Sequence, residues 1–290
     1  MTETFDGDWL ALRAPFDAMA RSAALAQRLS AMLPARPRLL DLGAGTGSLF
    51  RWLAPIIGRA QAWTFADADA DLLARAFADT AAWAEANGFT VTAAGVAGSR
   101  ALLIDTPSGA WRVDAVIADL AGAPETMPLA HTDAVVCSAL LDLVSAAWIG
   151  RFVAALRTPL LACLSVDGRD AFRPAHKLDR VVSSGFRRDQ GRDKGFGPAL
   201  GPRAPAVLHE ALAAHGFAVS SAASDWCIPP TAAAMLSALV DGHARVAAAH
   251  LPGRRSDIAA WEQVRLRQAA MARLAIRIGH RDILALPPAG

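Results

Sequence analysis

Four aspartates and three glycines carry most of the chemistry that this sequence offers. Gly43, Gly45 and Gly47 alternate with small residues in the stretch 38–48, and Asp41 stands two residues before the first of them. Glycine adopts positive φ and has no Cβ, so such a turn brings backbone N–H groups close to a ligand. Asp67 follows Gly47 by 20 residues and ends the apolar run 62–66. An acid at that place can accept hydrogen bonds from both hydroxyls of a ribose. Asp69 and Asp71 are rival acids, but their places suit an N-cap and a first helical turn, where the helix dipole favours negative charge. Asp119 closes the alternating run Trp111, Val113, Ala115, Ile117, and Asp142 is the carboxylate nearest the run 134–138.

The elements that would position these residues can be read around them. Leu39, Leu40 and Leu42 suit a buried parallel strand, and Leu49, Phe50, Trp52 and Leu53 resume at helical spacing. Strand, glycine turn and helix form the usual nucleotide-binding opening of a doubly wound α/β fold. The dinucleotide fingerprint Gly-x-Gly-x-x-Gly/Ala is not met, because the glycines fall at 43, 45 and 47 and position 48 is Ser. This argues against a nicotinamide dehydrogenase.

The string Asp41-x-Gly43-x-Gly45-x-Gly47 resembles the first motif of the class I S-adenosylmethionine-dependent methyltransferases, and Asp67 matches their second. The resemblance covers residues 36 to 165 well and the rest by order of elements. It implies an α/β, doubly wound, mostly parallel seven-stranded sheet with helices on both faces. It also implies S-adenosyl-L-methionine as the cofactor. Asp41, Gly43, Ala44, Gly45 and Gly47 would then serve its methionyl part, Asp67 and Ala68 its ribose, and Asp119 and Leu120 its adenine. Ser138, at the end of the fourth strand, completes the set. Asp142 becomes the candidate to orient or deprotonate an acceptor, with a packing role as the alternative. Around Ser138 the sequence reads Cys-Ser-Ala-Leu. It lacks the Asn/Asp-Pro-Pro-aromatic motif of nucleic-acid amino methylation, the Pro-Cys of cytosine C5 enzymes and the paired glutamates of protein arginine enzymes.

The flanking segments organise around that core. Residues 8–33 read as one amphipathic helix or a pair, with Pro15 starting or kinking a segment. They form an N-terminal helical cover over 1–35, either a lid or a surface helix packed on the sheet. The cofactor-binding core is 36–166. Residues 167–205 form a basic insertion in which His176, Arg187, Arg188 and Lys194 are candidate substrate contacts, since Arg forks suit carboxylate and phosphate groups. The alternative is a solvated loop. Residues 206–290 add helices and a terminal strand hairpin whose arms a helical insertion separates. The expectation is a single elaborated domain, 1–290.

Composition narrows the partners. With 290 residues, 53% of them hydrophobic, the chain can build a large core, and a net charge of +2 makes no case for nucleic acid or membrane binding. Cys137, Cys163 and Cys227 are far apart and without metal spacing, which suggests buried reduced thiols and no metal. No signal-peptide pattern is seen, and no apolar run is long enough to span a bilayer, so a cytoplasmic enzyme is expected. Of seven histidines, His176 and His280 alone merit a functional test. The function expected is methyl transfer to a small acidic metabolite. RNA or protein methylation, or cofactor binding without turnover, are the alternatives.

Overall fold

The computed structural model describes residues 6–94, 101–122 and 127–288; the ends of the expected 1–290 domain lie outside them. The chain opens with α1 (Gly7–Ala20) and α2 (Ala23–Met32), a helix pair in which Pro15 sits inside α1. Then β1 (Arg38–Leu42), α3 (Ser48–Ile57), β2 (Gln61–Asp67) and α4 (Ala70–Ala86) follow in α/β alternation. Asp69 caps α4 as its position suggests, accepting from the N–H groups of Asp71 and Leu72.

The main sheet has nine strands among the described residues, two more than expected. Its order is β3 (Thr90–Ala94), β4 (Ala101–Thr106), β5 (Gly109–Ile117), β2, β1, β6 (Ala134–Ser138), β7 (Leu160–Val166), β12 (His280–Leu286) and β9 (Ala218–Ala223). The extra strands arise because Thr106–Gly109 makes a tight turn, closed by the Thr106 hydroxyl donating to the Gly109 carbonyl at 2.8 Å. That hairpin seats β5, rather than residues 89–94, beside β2, and adds β3 and β4 at the edge. β5, β2, β1, β6 and β7 are parallel, and β12 runs against both β7 and β9.

Strand alternation sends side chains to two cores. Leu39, Trp63, Phe65, Trp111 and Val113 meet α2, α3 and α4 on one face. Leu40, Leu42, Val135 and Cys137 meet α5 (Ala146–Ala155) and α7 (Ala204–Ala214) on the other. The sheet is therefore doubly wound, as expected.

A third core was not legible beforehand. The basic insertion is not a loop throughout: it supplies β8 (Ala171–Arg173) and α6 (Asp179–Gln190). The segment between β9 and β12 supplies β10 (Trp226–Ile228), α8 (Ala233–His250), α9 (Arg255–Ala270) and β11 (Ala275–Ile278). The two insertions interlock, with β11 pairing with β10 and β8 in a separate antiparallel sheet. Phe172, Val182, Trp226, Leu236, Trp261 and Ile276 fill the space between that sheet and the helices. At Gly185 a Cβ would come within 2.7 Å of the Ala247 backbone, so α6 and α8 touch main chain to main chain. Residues 206–290 thus divide between the main sheet, through β9 and β12, and the inserted module. Cys137 and Cys163 are buried as expected, whereas Cys227 is exposed on the β10–β11–β8 sheet.

Candidate active site

The loop after β1 and the ends of β2, β5 and β6 open onto one cavity of about 440 Å³. Its lining includes Asp41, Gly43, Ala44, Gly45, Asp67, Ala68, Asp119, Leu120 and Ser138, all singled out from the sequence. Gly47 is not part of the wall. It caps α3 in the left-handed region (φ +75°), and a Cβ there would press on Phe65 and Thr80 at 3.2 Å, so its role is to pack the helix onto the sheet.

Gly45 also has positive φ (+52°), and its N–H donates to Asp67 Oδ2 at 2.8 Å. The N–H of Asp69 donates to Asp67 Oδ1 at 3.0 Å. These bonds orient the carboxylate and leave about half of its four lone-pair sites open for hydroxyl donors. Burial raises the Asp67 carboxyl, and the two backbone donors oppose that shift. Asp119 is exposed at the rim, its Oδ1 accepting from Ala121 N–H at 2.9 Å. The Leu120 carbonyl is taken by Trp148 Nε1 at 2.6 Å, which leaves that residue a packing role on the wall.

Asp41 differs from the others. It is 1% exposed, and neither carboxylate oxygen meets a protein donor. Burial pushes its carboxyl up to about 8; Arg21 opposes the shift and Asp67 adds to it. A buried carboxylate without a donor is costly, so its presence on a cavity wall marks a place for a cationic or hydrogen-bond-donating ligand.

The cover contributes more than the sequence suggested. Leu10, Arg13 and Asp17 of α1 line the cavity, so α1 acts as a wall rather than a remote surface helix. Arg13 Nε donates to Asp17 at 3.1 and 3.2 Å, and its guanidinium lies 4.8 Å from the centre of the Trp226 ring. Trp226 Nε1 donates in turn to Asp17 Oδ1 at 3.0 Å, tying α1 to the inserted module. The available signal was the spacing Arg13–Asp17–Arg21, which sets three charges on one helix face.

The candidate substrate contacts divide. Lys194 lines the cavity together with Phe196. His176, Arg187 and Arg188 do not line it. His176 is bound into the start of α6, its Nδ1 accepting from Leu178 N–H at 3.2 Å. Arg187 and Arg188 belong to the last turn of α6, and Arg188 contacts the His250 carbonyl of the module at 3.5 Å. Asp142 also falls outside the lining, although Leu140 and Leu143 belong to it. It sits in the turn before α5, and its Oδ1 is buried without a donor. Burial raises its carboxyl against the pull of Lys194 and Arg13. His280 is buried against the Trp226 ring, and burial with Arg13 nearby lowers it to about 4. Among the described residues no group of His, Cys, Asp or Glu could hold a metal ion.

No family model matches the sequence. One curated protein aligns at 49% identity over 57 residues: a biotin biosynthesis bifunctional protein BioCD from Bordetella avium, of which the chain spans only 12%. That stretch is 19% of this chain. Among solved structures, a SAM-dependent methyltransferase from Geobacter sulfurreducens, in complex with S-adenosyl-L-homocysteine, overlays at TM-score 0.43 and 14% identity, covering 96% of this chain and 98% of its own. The cyclopropane synthase MmaA2 from Mycobacterium tuberculosis overlays at TM-score 0.42 and 13% identity, covering 91% and 82%. What decides the fold is the chain's own topology: a doubly wound sheet with five parallel central strands, a glycine turn after its central strand and a last strand running against both its neighbours. The fold is a doubly wound α/β fold built on a mixed, largely parallel sheet. The cavity lies outside the carboxyl ends of the parallel strands, where open α/β sheets bind their ligands.

Proposed function

We propose that this cavity binds S-adenosyl-L-methionine and that the chain catalyses transfer of its methyl group to a small acidic molecule. The observation that carries the reading is Asp41, a buried carboxylate on the cavity wall with no donor of its own. The bound cofactor supplies a sulfonium methyl for in-line displacement. The protein's part is proximity and orientation. Asp41 faces the cationic methionyl end, the turn at Gly43 and Gly45 lets backbone approach it, Asp67 accepts from the ribose hydroxyls, and Asp119 accepts from the adenine amino group.

The charge of the wall supports this cofactor over a dinucleotide. Asp17, Asp41, Asp67, Asp69 and Asp119 line the cavity against Arg13 and Lys194. A pyrophosphate would face like charges there, whereas a sulfonium and an ammonium are complementary. The acceptor would lie by Lys194 and Phe196. Lys194 suits an anionic group, and an acceptor that arrives ionised needs no base. That fits the placement of Asp142 off the wall. Part of the insertion's positive charge is offset within the fold: Arg192 and Lys194 pair with Asp189, and Arg169 with Asp167 and Asp225.

Calorimetric titration with S-adenosylhomocysteine tests the reading. Asp67→Ala removes two acceptors for ribose and is expected to weaken binding by about 2–4 kcal/mol, roughly 30- to 1000-fold. Unchanged affinity would take Asp67 out of the site. Lys194→Met is expected to raise the acceptor KM about 10- to 100-fold, as loss of a charge-assisted contact does. Cofactor affinity should stay within about twofold. An unchanged KM in a continuous assay of S-adenosylhomocysteine production would return Lys194 to the solvated-loop reading.

A further inference from the structure

The face that α1 turns to the cavity holds a guanidinium whose surroundings already fix it. Leu10, Arg13 and Asp17 recur at helical spacing on one side of α1, and all three line the cavity. Leu10 lies over the glycine turn, its Cδ1 3.4 Å from where a Gly45 Cβ would stand. One turn further along, Arg13 is held on two sides. Its Nε donates to both oxygens of Asp17, at 3.1 and 3.2 Å, and its guanidinium lies 4.8 Å from the centre of the Trp226 ring. Asp17 also sits 3.8 Å from Arg21 Nη2, so one carboxylate faces two guanidiniums and positive charge is left over. The Nη groups of Arg21 are taken by Ser48 and Ser138. Those of Arg13 are not: among the described residues no protein acceptor meets either one, and neither is sealed from solvent. With Nε and a ring face fixed, the Nη1–Nη2 edge is what remains for a ligand, and that edge matches two coplanar oxygens.

The rest of the lining limits what such a ligand can be. Lys194 adds a second positive charge to the wall, but its ammonium is engaged with Asp189 at 3.8 Å, so Arg13 is the cation with a donor edge open to the cavity. The same cavity is lined by Leu10, Leu140, Leu143 and Phe196, and Phe196 is braced edge-on against Trp148 at 6.1 Å between ring centres. A polyhydroxylated acid would set its hydroxyls against those side chains without partners. We propose that Arg13 anchors the acceptor, and that the acceptor is a carboxylic acid with an apolar body: its carboxylate sits on the Nη edge and its body lies along Leu10, Leu140, Leu143 and Phe196. This rests on the methyltransferase reading above and narrows its acidic acceptor to one chemical class. Asp17 and Trp226 are then the residues that position the anchor.

The test is calorimetric titration of the full chain, loaded with S-adenosylhomocysteine, using octanoate, octanamide and octyl phosphate. The wild type is expected to bind octanoate about tenfold more tightly than the uncharged amide, the scale of a charge-assisted pair. Arg13→Gln should erase that preference and bring octanoate to the level of the amide. Its affinity for S-adenosylhomocysteine should stay within about twofold. If Arg13 only tied α1 to Trp226, the variant would weaken octanoate and octanamide alike and leave their ratio unchanged, which would overturn the inference. No preference for octanoate in the wild type would overturn it as well, and that comparison stands even if the variant fails to fold. So would tighter binding of octyl phosphate than of octanoate. An Arg13→Gln protein that loses S-adenosylhomocysteine but keeps 5′-methylthioadenosine, which lacks the amino-acid end, would assign the edge to the cofactor's own carboxylate and overturn it too. Failure of the wild type to bind S-adenosylhomocysteine would instead overturn the cofactor reading beneath it.

Discussion

Replacing Asp41 by asparagine is expected to weaken cofactor binding strongly while making the ligand-free protein more stable at alkaline pH. Truncating one partner of a buried charge pair costs about 2–5 kcal/mol, so affinity for S-adenosylhomocysteine should fall roughly 30- to several-thousand-fold. The stability change runs the other way. The folded value of about 8 lies above the ordinary 3.8. Between those values the folded chain holds a proton that the unfolded chain has released. The contribution of Asp41 is therefore complete below the lower value and is lost as pH rises through the upper one. Asparagine does not titrate. Thermal unfolding without ligand should show Asp41→Asn above wild type at pH 9 and the difference shrinking towards pH 5. A variant that binds normally, or that is destabilised at pH 9, would remove Asp41 from its assigned place.

The second large effect is expected at Asp282, far from the glycine turn in sequence. Its carboxylate is fully buried and accepts from Ser22 N–H at 2.7 Å and Leu164 N–H at 2.8 Å. Leu164 has a left-handed backbone (φ +55°), an unfavourable state for a branched side chain that the bond to Asp282 helps to hold. Ala139 has the same conformation (φ +54°) at the cavity edge, and its N–H donates to the neighbouring Cys163 carbonyl at 2.9 Å. Asp282→Ala leaves two buried donors unmatched at about 1–3 kcal/mol each, so chemical denaturation should show a loss of about 2–6 kcal/mol. Asp282→Asn keeps one acceptor oxygen and should lose less. Because Ser22 anchors the cover, proteolysis between α1 and α2 should also accelerate in the alanine variant. Equal protease resistance would separate the fold effect from the cover.

How much of this was visible in the residues follows from locality. The glycine turn, Asp41, Asp67 and Asp119 were legible because each is set by its own strand end, and strand order in a doubly wound sheet brings strand ends together. The capping role of Asp69 was local in the same way. The inserted module was not legible, because β8 pairs with β11 across about a hundred residues. Arg187 and Arg188 looked like acceptor ligands on composition, yet the helical turn that carries them packs against α8 instead. Arg13 and Asp17 lie within the helical cover, whose pattern alone does not say which face meets the sheet. Only the Trp226 contact, set by the same long-range module, turns them towards the cavity. Asp142 lies off the cavity lining, since proximity to β6 in sequence does not say which way a turn presents its side chain.

The most direct measurement of the central claim is thermal unfolding of the full chain with S-adenosylhomocysteine, S-adenosylmethionine, NAD or no ligand. A ligand at about 100 times its dissociation constant adds roughly 2.7 kcal/mol of stability. For 290 residues that is a rise of about 4 °C. The account predicts that rise with both sulfur ligands and none with NAD. A rise with NAD alone, or no rise with any of the three, would contradict it.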